Sequence, residues 1–178
     1  DGVDLGPLRS VLPGRLATAS GRVILSPRVI LDDLTRLEAA LDAGELGAGG
    51  LRLIGRRQLR SNNSWLHNAP KMVSGKPRCT LLVSPDDAQA HGLESGDQVE
   101  VRSRVGAVSV QAQIDPDMMP GVVSLPHGWG HRKKGAELQV ANATVGESVN
   151  DLTDEAYLDE LTGTAALNGV TVTLSRCP

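Results

Sequence analysis

The chain has 178 residues, enough for one domain that buries roughly 70% of the surface its unfolded form exposes. It contains no Phe, one Tyr (Tyr157) and two Trp (Trp65 and Trp129), which excludes an aromatic stacking platform for single-stranded nucleic acid. No run approaches the roughly 18 apolar residues of a membrane span. The net charge of −3 selects no partner, but the distribution of charge is informative. Leu46–Pro85 holds seven bases and no acid, whereas Ala136–Glu160 holds seven acids and no base. The first segment suits an anionic partner. Arg outnumbers Lys by 14 to 4, and the planar guanidinium fork matches phosphate and carboxylate. Cys79 and Cys177 lack metal-ligand spacing, so no zinc or iron–sulfur site is expected within this chain.

Residues 1–28 carry Gly, Pro and scattered apolar residues without a period, and read as an extended arm. Leu34, Leu37 and Leu41 then recur at helical spacing, with Asp32 or Asp33 as N-cap and Gly44 as the stop. Gly47–Gly50 reads as a flexible joint, which gives an arm and helix over 1–48 and a second domain over 49–178. From Leu51 the pattern is β. Strands are expected at Leu51–Leu59, Cys79–Val83, Gln98–Ser103, Ala107–Asp115, Gly121–Leu125 and Gly169–Ser175. In the fourth, Val108, Val110, Ala112 and Ile114 share one face, opposite Ser109, Gln111 and Gln113. Ser84-Pro85-Asp86-Asp87 starts a short helix, with Ser at the N-cap and Pro at the first helical position. Six short strands and small helices around an aliphatic core predict a mainly β fold with flanking α, closed as a barrel.

Three segments crowd polar residues too densely for plain connectors. The first runs from Arg56 to Asn68. Arg57, Arg60, Ser61, Asn62 and Asn63 offer converging donors of the kind that bind phosphate, and Trp65 suggests an anchored loop. The second is Leu125–His131, where two Gly allow close backbone approach and His127 and His131 offer hydrogen bonds. No third ligand joins them, so no metal site is expected. The third is Val149–Asp154. Asn150 presents a donor and an acceptor to a heterocycle edge, and Thr153 lies close by. Asp87 can accept two hydrogen bonds from a purine edge, or serve only as a helix cap. There is no GxSxG, no Walker A motif and no GxGxxG after a strand, and no catalytic residue is assigned. Any chemistry must come from a cofactor or from other sequence.

Taken in order, these segments resemble the C-terminal dinucleotide-binding domain of the molybdopterin oxidoreductases. That superfamily includes formate dehydrogenases, nitrate reductases, and dimethyl- and biotin-sulfoxide reductases. The resemblance runs from Leu51 to Leu174. It rests on Arg57–Ser64, Ser84–Ala88 with Gly96–Val99, Pro120–Val123 leading to Pro126–Trp129, and Asn150–Thr153 with Asp159 and Thr162-Gly163. It implies a six-stranded double-psi β-barrel with flanking helices and a bound molybdopterin guanine dinucleotide carrying molybdenum or tungsten. Arg57, Arg60, Ser61, Asn62 and Asn63 would surround pyrophosphate or pterin. Asp87 would lie near guanine, and His127 and Asn150–Thr153 near a pterin edge. The metal ligand, and any iron–sulfur cluster, would belong to preceding domains, which are then the partners of this one. The family pattern of Phe or Tyr followed by Lys near the end of the final strand is missing, and Leu167-Asn168 stands in its place.

The chain begins at Asp1 rather than Met, so the expectation is a domain cut from a longer cytoplasmic enzyme, formate-dehydrogenase-like and inactive by itself. The alternative is a stand-alone double-psi adaptor barrel without cofactor. A pyruvoyl-type decarboxylase is a third reading, but Ala19-Ser20-Gly21 and Glu94-Ser95-Gly96 lack the Gly-Ser order that self-cleavage needs.

Overall fold

The computed structural model describes residues 2–44, 50–132 and 137–178. The chain divides into two compact units, Asp1–Leu46 and Gly47–Pro178. In the first, an arm without regular structure leads into helix α1, Arg28–Asp42. The helix starts directly after Pro27, earlier than Asp32 or Asp33 would place it. The fixed φ of Pro27 suits the entry to a helix. Asp32 and Asp33 therefore sit inside the helix, where they pair with Arg28 and Arg36 at 2.8 and 2.7 Å. Gly44 follows the helix in the left-handed conformation, as expected. No residue of α1 is buried. Three residues of the Gly47–Gly50 joint lie outside the described residues.

The second unit contains strands β1 (Leu51–Arg56), β2 (Thr80–Val83), β3 (Gln98–Arg102), β4 (Ala107–Ile114), β5 (Val122–Pro126) and β6 (Val170–Arg176). Helices α2 (Pro70–Val73), α3 (Pro85–Ala90) and α4 (Gln139–Ala143) flank them, with a 3-10 turn at Val149–Asp151. The strands close in the order β1-β5-β2-β4-β3-β6. The pairs β1–β5 and β2–β4 are parallel and the rest antiparallel, which is the expected double-psi barrel. Val108, Val110 and Ala112 face the core with Val170, Val172 and Leu174. Period-2 alternation with one face inward makes these strands legible. β5 departs from it: Val123, Ser124, Leu125 and Pro126 are all buried, because this strand is covered on both faces. β1 ends at Arg56, three residues short of the expected Leu59. Its register partner there is Pro126, and the chain then folds into tight turns at Gln58–Ser61 and Asn62–Trp65. Among the described residues, no helix is long and apolar enough to cross a membrane.

Strand direction sorts the connections. β1 and β5 run in parallel, so Arg57 and His127 leave the same end of the barrel. The antiparallel pairs bring the start of β2, the β3–β4 turn and the start of β6 to that end as well. Segments 57–79, 103–106, 127–132 and 137–169 thus emerge together. Segments 84–97 and 115–121, which include α3, emerge at the opposite end.

Candidate functional site

The site forms where the segment after β1 meets the segment after β5. Asn62 and Asn63 both adopt left-handed φ values, 44° and 61°. Asn tolerates this region better than most residues because its short amide bonds locally. The turn aims the Asn63 side chain at β5, where its Oδ1 accepts from His127 Nε2 at 2.8 Å and from Arg57 Nη1 at 3.4 Å. Arg57, Asn63 and His127 are therefore one cluster, as the sequence pattern suggested. The Asn63 carbonyl approaches Gly128 so closely that a Cβ there would collide with it, and Gly128 has φ +89°. Only glycine fits both demands.

Ser61 is buried beneath this loop. Arg60 donates to the carbonyl of Lys71 at the start of α2. Trp65, expected to anchor the loop, is 82% exposed and does not. The anchor is His67, which is 1% exposed. Its Nδ1 lies 2.7 Å from Nε2 of His131, and its ring lies 4.0 Å from that of Trp129. The sequence pairs His127 with His131, whereas the structure gives each a different partner. Burial, and then the neighbouring His131, push the His67 imidazole below its ordinary pKa; burial lowers that of His131. The neutral forms are favoured, and one ring donates to the other. His67 Nε2 and Trp129 Nε1 are buried without an aligned hydrogen-bond partner among the described residues, although the Gly128 backbone partly offsets the lowering of the His67 pKa. Two buried polar atoms left open at one site mark a place for a water or a ligand.

Asn150 lies on the 3-10 turn and is exposed, with its carbonyl accepting from Thr153 Oγ1 at 3.0 Å. This turn packs on the β3–β4 connection, where a Cβ at Gly106 would collide with the Asp151 carbonyl. Arg104 grips Asp154 with two hydrogen bonds of 2.5 and 2.6 Å and holds its carboxyl down at a pKa of about 2. Asn150 and Thr153 thus share the barrel end with Arg57, Asn63 and His127. Asp87 does not. Its Oδ2 accepts from Ser84 Oγ at 2.7 Å and from the Gly121 N–H at 2.9 Å. Gly121 precedes β5 and His127 follows it, which separates the two by roughly 20 Å at the rise of an extended chain.

The basic segment has a common pattern of contacts. Arg56 donates to Ser124 O and Thr80 O at 2.5 and 2.6 Å. Arg57 bonds Asn63, Arg60 bonds Lys71 O, and Arg78 bonds Met72 O and Ser74 O at 3.2 and 2.8 Å. All these acceptors are neutral. Arg28, Arg36, Arg102, Arg104, Arg132 and Arg176 instead face carboxylates. Among the described residues, Arg57, Arg60 and Arg78 are oriented by neutral oxygens and pair with no carboxylate. Burial lowers the pKa of Arg56, against a smaller opposing pull from Cys79 and Asp115. Oriented cations, open hydrogen-bonding atoms and a backbone that a ligand can approach closely together fit a polyanionic heterocyclic ligand.

Comparison with known proteins agrees with this chemistry. A tetrathionate reductase chain of Salmonella typhimurium is 27% identical over 124 residues, covering 60% of this chain and 12% of the relative. ArrA, the molybdopterin-containing chain of the arsenate respiratory reductase of Chrysiogenes arsenatis, is 33% identical over 122 residues, covering 64% of this chain and 14% of the relative. The chain therefore spans about an eighth of the length of these relatives. Acetylene hydratase from Pelobacter acetylenicus shares the fold, with a TM-score of 0.60 at 22% identity over 82% of this chain and 20% of that one. The family model described as the molydopterin dinucleotide binding domain matches residues 51–171, and the chain belongs to that family.

Proposed function

We propose that this barrel is the cofactor-holding domain of a larger molybdopterin-dependent oxidoreductase, and that the Arg57–Asn63–His127 end holds the pterin dinucleotide. The observation that carries this reading is the pair Arg57 and Arg60, both oriented by neutral oxygens and paired with no carboxylate among the described residues. A hydrogen bond to a carbonyl fixes a guanidinium in direction but leaves its charge to be met by an anion, and a pyrophosphate meets it. Asn63 Oδ1 orients Arg57 and His127 together. Asn150, exposed on its turn, offers an amide to a heterocycle edge. Metal-centred redox or oxygen-transfer chemistry is supplied by the bound group, and this chain's residues bind, orient and exclude water. The remaining domains of the parent are its partners. The tetrathionate and arsenate reductases above favour a reductase over the formate-dehydrogenase-like parent expected from sequence. Choice of metal and of substrate belongs to residues outside this barrel.

The test is pterin content. In the full-length protein, Arg57→Ala and Asn63→Ala should each lower bound pterin at least about tenfold, the effect of losing one or two charge-assisted bonds. Thermal unfolding should stay within a few degrees of wild type. Full pterin retention in both variants would overturn the site assignment and favour the cofactor-free adaptor reading.

A further inference from the structure

A second feature lies apart from the Arg57–Asn63–His127 cluster. A groove of about 420 Å³ runs along the flank of the barrel, between the segment before β2 and the segment that precedes the 3-10 turn. The loop after β5 separates it from the first site. Gly128 in that loop backs onto Asn63, whereas Trp129 and Arg132 line the groove. Three cations line it: Lys76, Arg78 and Arg132. Among the described residues its one carboxylate, Glu147, stands 3.4 Å from Arg132. The two remaining cations face no carboxylate among the described residues. Arg78 is held in place by the Met72 and Ser74 carbonyls, so its unused N–H groups are fixed in direction before any ligand arrives. Cys79 adds no negative charge to the groove. Burial raises its thiol pKa, against the smaller opposing effect of the Glu147 N–H 3.3 Å from its sulfur. Val73, Pro77 and Val145 supply apolar wall. Trp129 lies against His67, and a Cβ at Gly146 would stand 2.8 Å from its indole.

We infer that this groove is an anion site for a phosphate ester, with the phosphoryl oxygens on Arg78 and Lys76 and the uncharged body on the apolar wall. Arg132 remains with Glu147 and closes one side. The phosphoryl group is that of a free phosphate ester, separate from the pterin dinucleotide assigned to the Arg57–Asn63–His127 end. The volume is that of a small-molecule site, several times that of a lone tetrahedral anion.

The experiment titrates the full-length protein with glycerol 3-phosphate by calorimetry, in cofactor-loaded and cofactor-stripped preparations. Saturable binding is expected, weakened about tenfold or more in Arg78→Gln, as expected for a lost charge-assisted bond. Lys76→Gln should weaken it in the same direction. Lys76 is exposed, so this variant keeps the test decisive if Arg78→Gln misfolds. Arg102→Gln, outside the groove, should leave binding unchanged. Binding to both preparations identifies a free ester as the ligand. Binding only to the stripped preparation would overturn the inference, because the groove would then belong to the cofactor's own site. No saturable binding in either, or equal binding in wild type and Lys76→Gln, would overturn the inference. Pterin content in Arg57→Ala is a separate readout, so failure here leaves the first site standing, and the converse also holds.

Discussion

Gly128 is subject to two constraints at once. Its φ is +89°, and the Asn63 carbonyl occupies the space of a side chain. Gly128→Ala should cost about 2–3 kcal/mol in denaturant unfolding and displace the His127 ring from Asn63. Gly163→Ala, at φ +67° with open space around it, should cost only about 1 kcal/mol. The His67–His131 pair makes stability depend on pH. Both imidazoles are depressed in the folded state, so the unfolded chain binds more protons just below the ordinary imidazole pKa. Stability should be flat above about pH 6.5 and fall as pH drops below it. Denaturation midpoints measured from pH 8 to pH 5.5 check this, and His67→Gln should reduce the slope. A midpoint that rises on acidification would contradict the tautomeric pair. The donor-rich Arg57–Asn63 loop is legible from composition, since forty residues without an acid are unusual. His67 is not, because its partner stands 64 positions away and a lone buried His leaves no local signature.

At the scale of elements, α3 separates local from distant effects. Ser84 is the N-cap, accepting from the Asp87 N–H at 3.1 Å, and the motif Ser-Pro-Asp-Asp announces it. What no motif announces is that Asp87 reaches on to the Gly121 N–H and ties α3 to the start of β5. Asp87→Ala should therefore destabilise the barrel by about 1–2 kcal/mol while leaving pterin content near wild type. A selective loss of pterin with unchanged stability would instead favour the guanine-side role. The start of α1 carries a related lesson. Asp32 and Asp33 have capping side chains, yet Pro27 starts the helix and the acids serve as i, i+4 and i, i+3 partners. Capping propensity is a weak preference, and a proline's fixed dihedral overrides it. α2 and α4 are four and five residues long and carry too little periodicity to be read at all.

At the scale of the molecule, the barrel rests on Leu53, Leu81, Val99, Val101, Leu125 and Val172, all essentially inaccessible. Leu125 lies in β5, which bonds both β1 and β2 and so joins the two halves of the barrel. Leu125→Ala should cost about 3 kcal/mol, read as a shift of the denaturation midpoint with an unchanged slope. The chain alone determined the strands, the aliphatic core, the acid-free basic segment and the family motifs. These depend on period-2 alternation, composition and short spacing, all of which are local. Only the tertiary structure decided which end of the barrel each loop leaves, and hence that Arg57, Asn63, His127 and Asn150 gather at one end while Asp87 stands at the other. It alone paired His67 with His131 and opened the groove beside Arg78. Strand direction and register are set by contacts far apart in sequence, and a linear pattern carries no information about which distant residue will close a hydrogen bond.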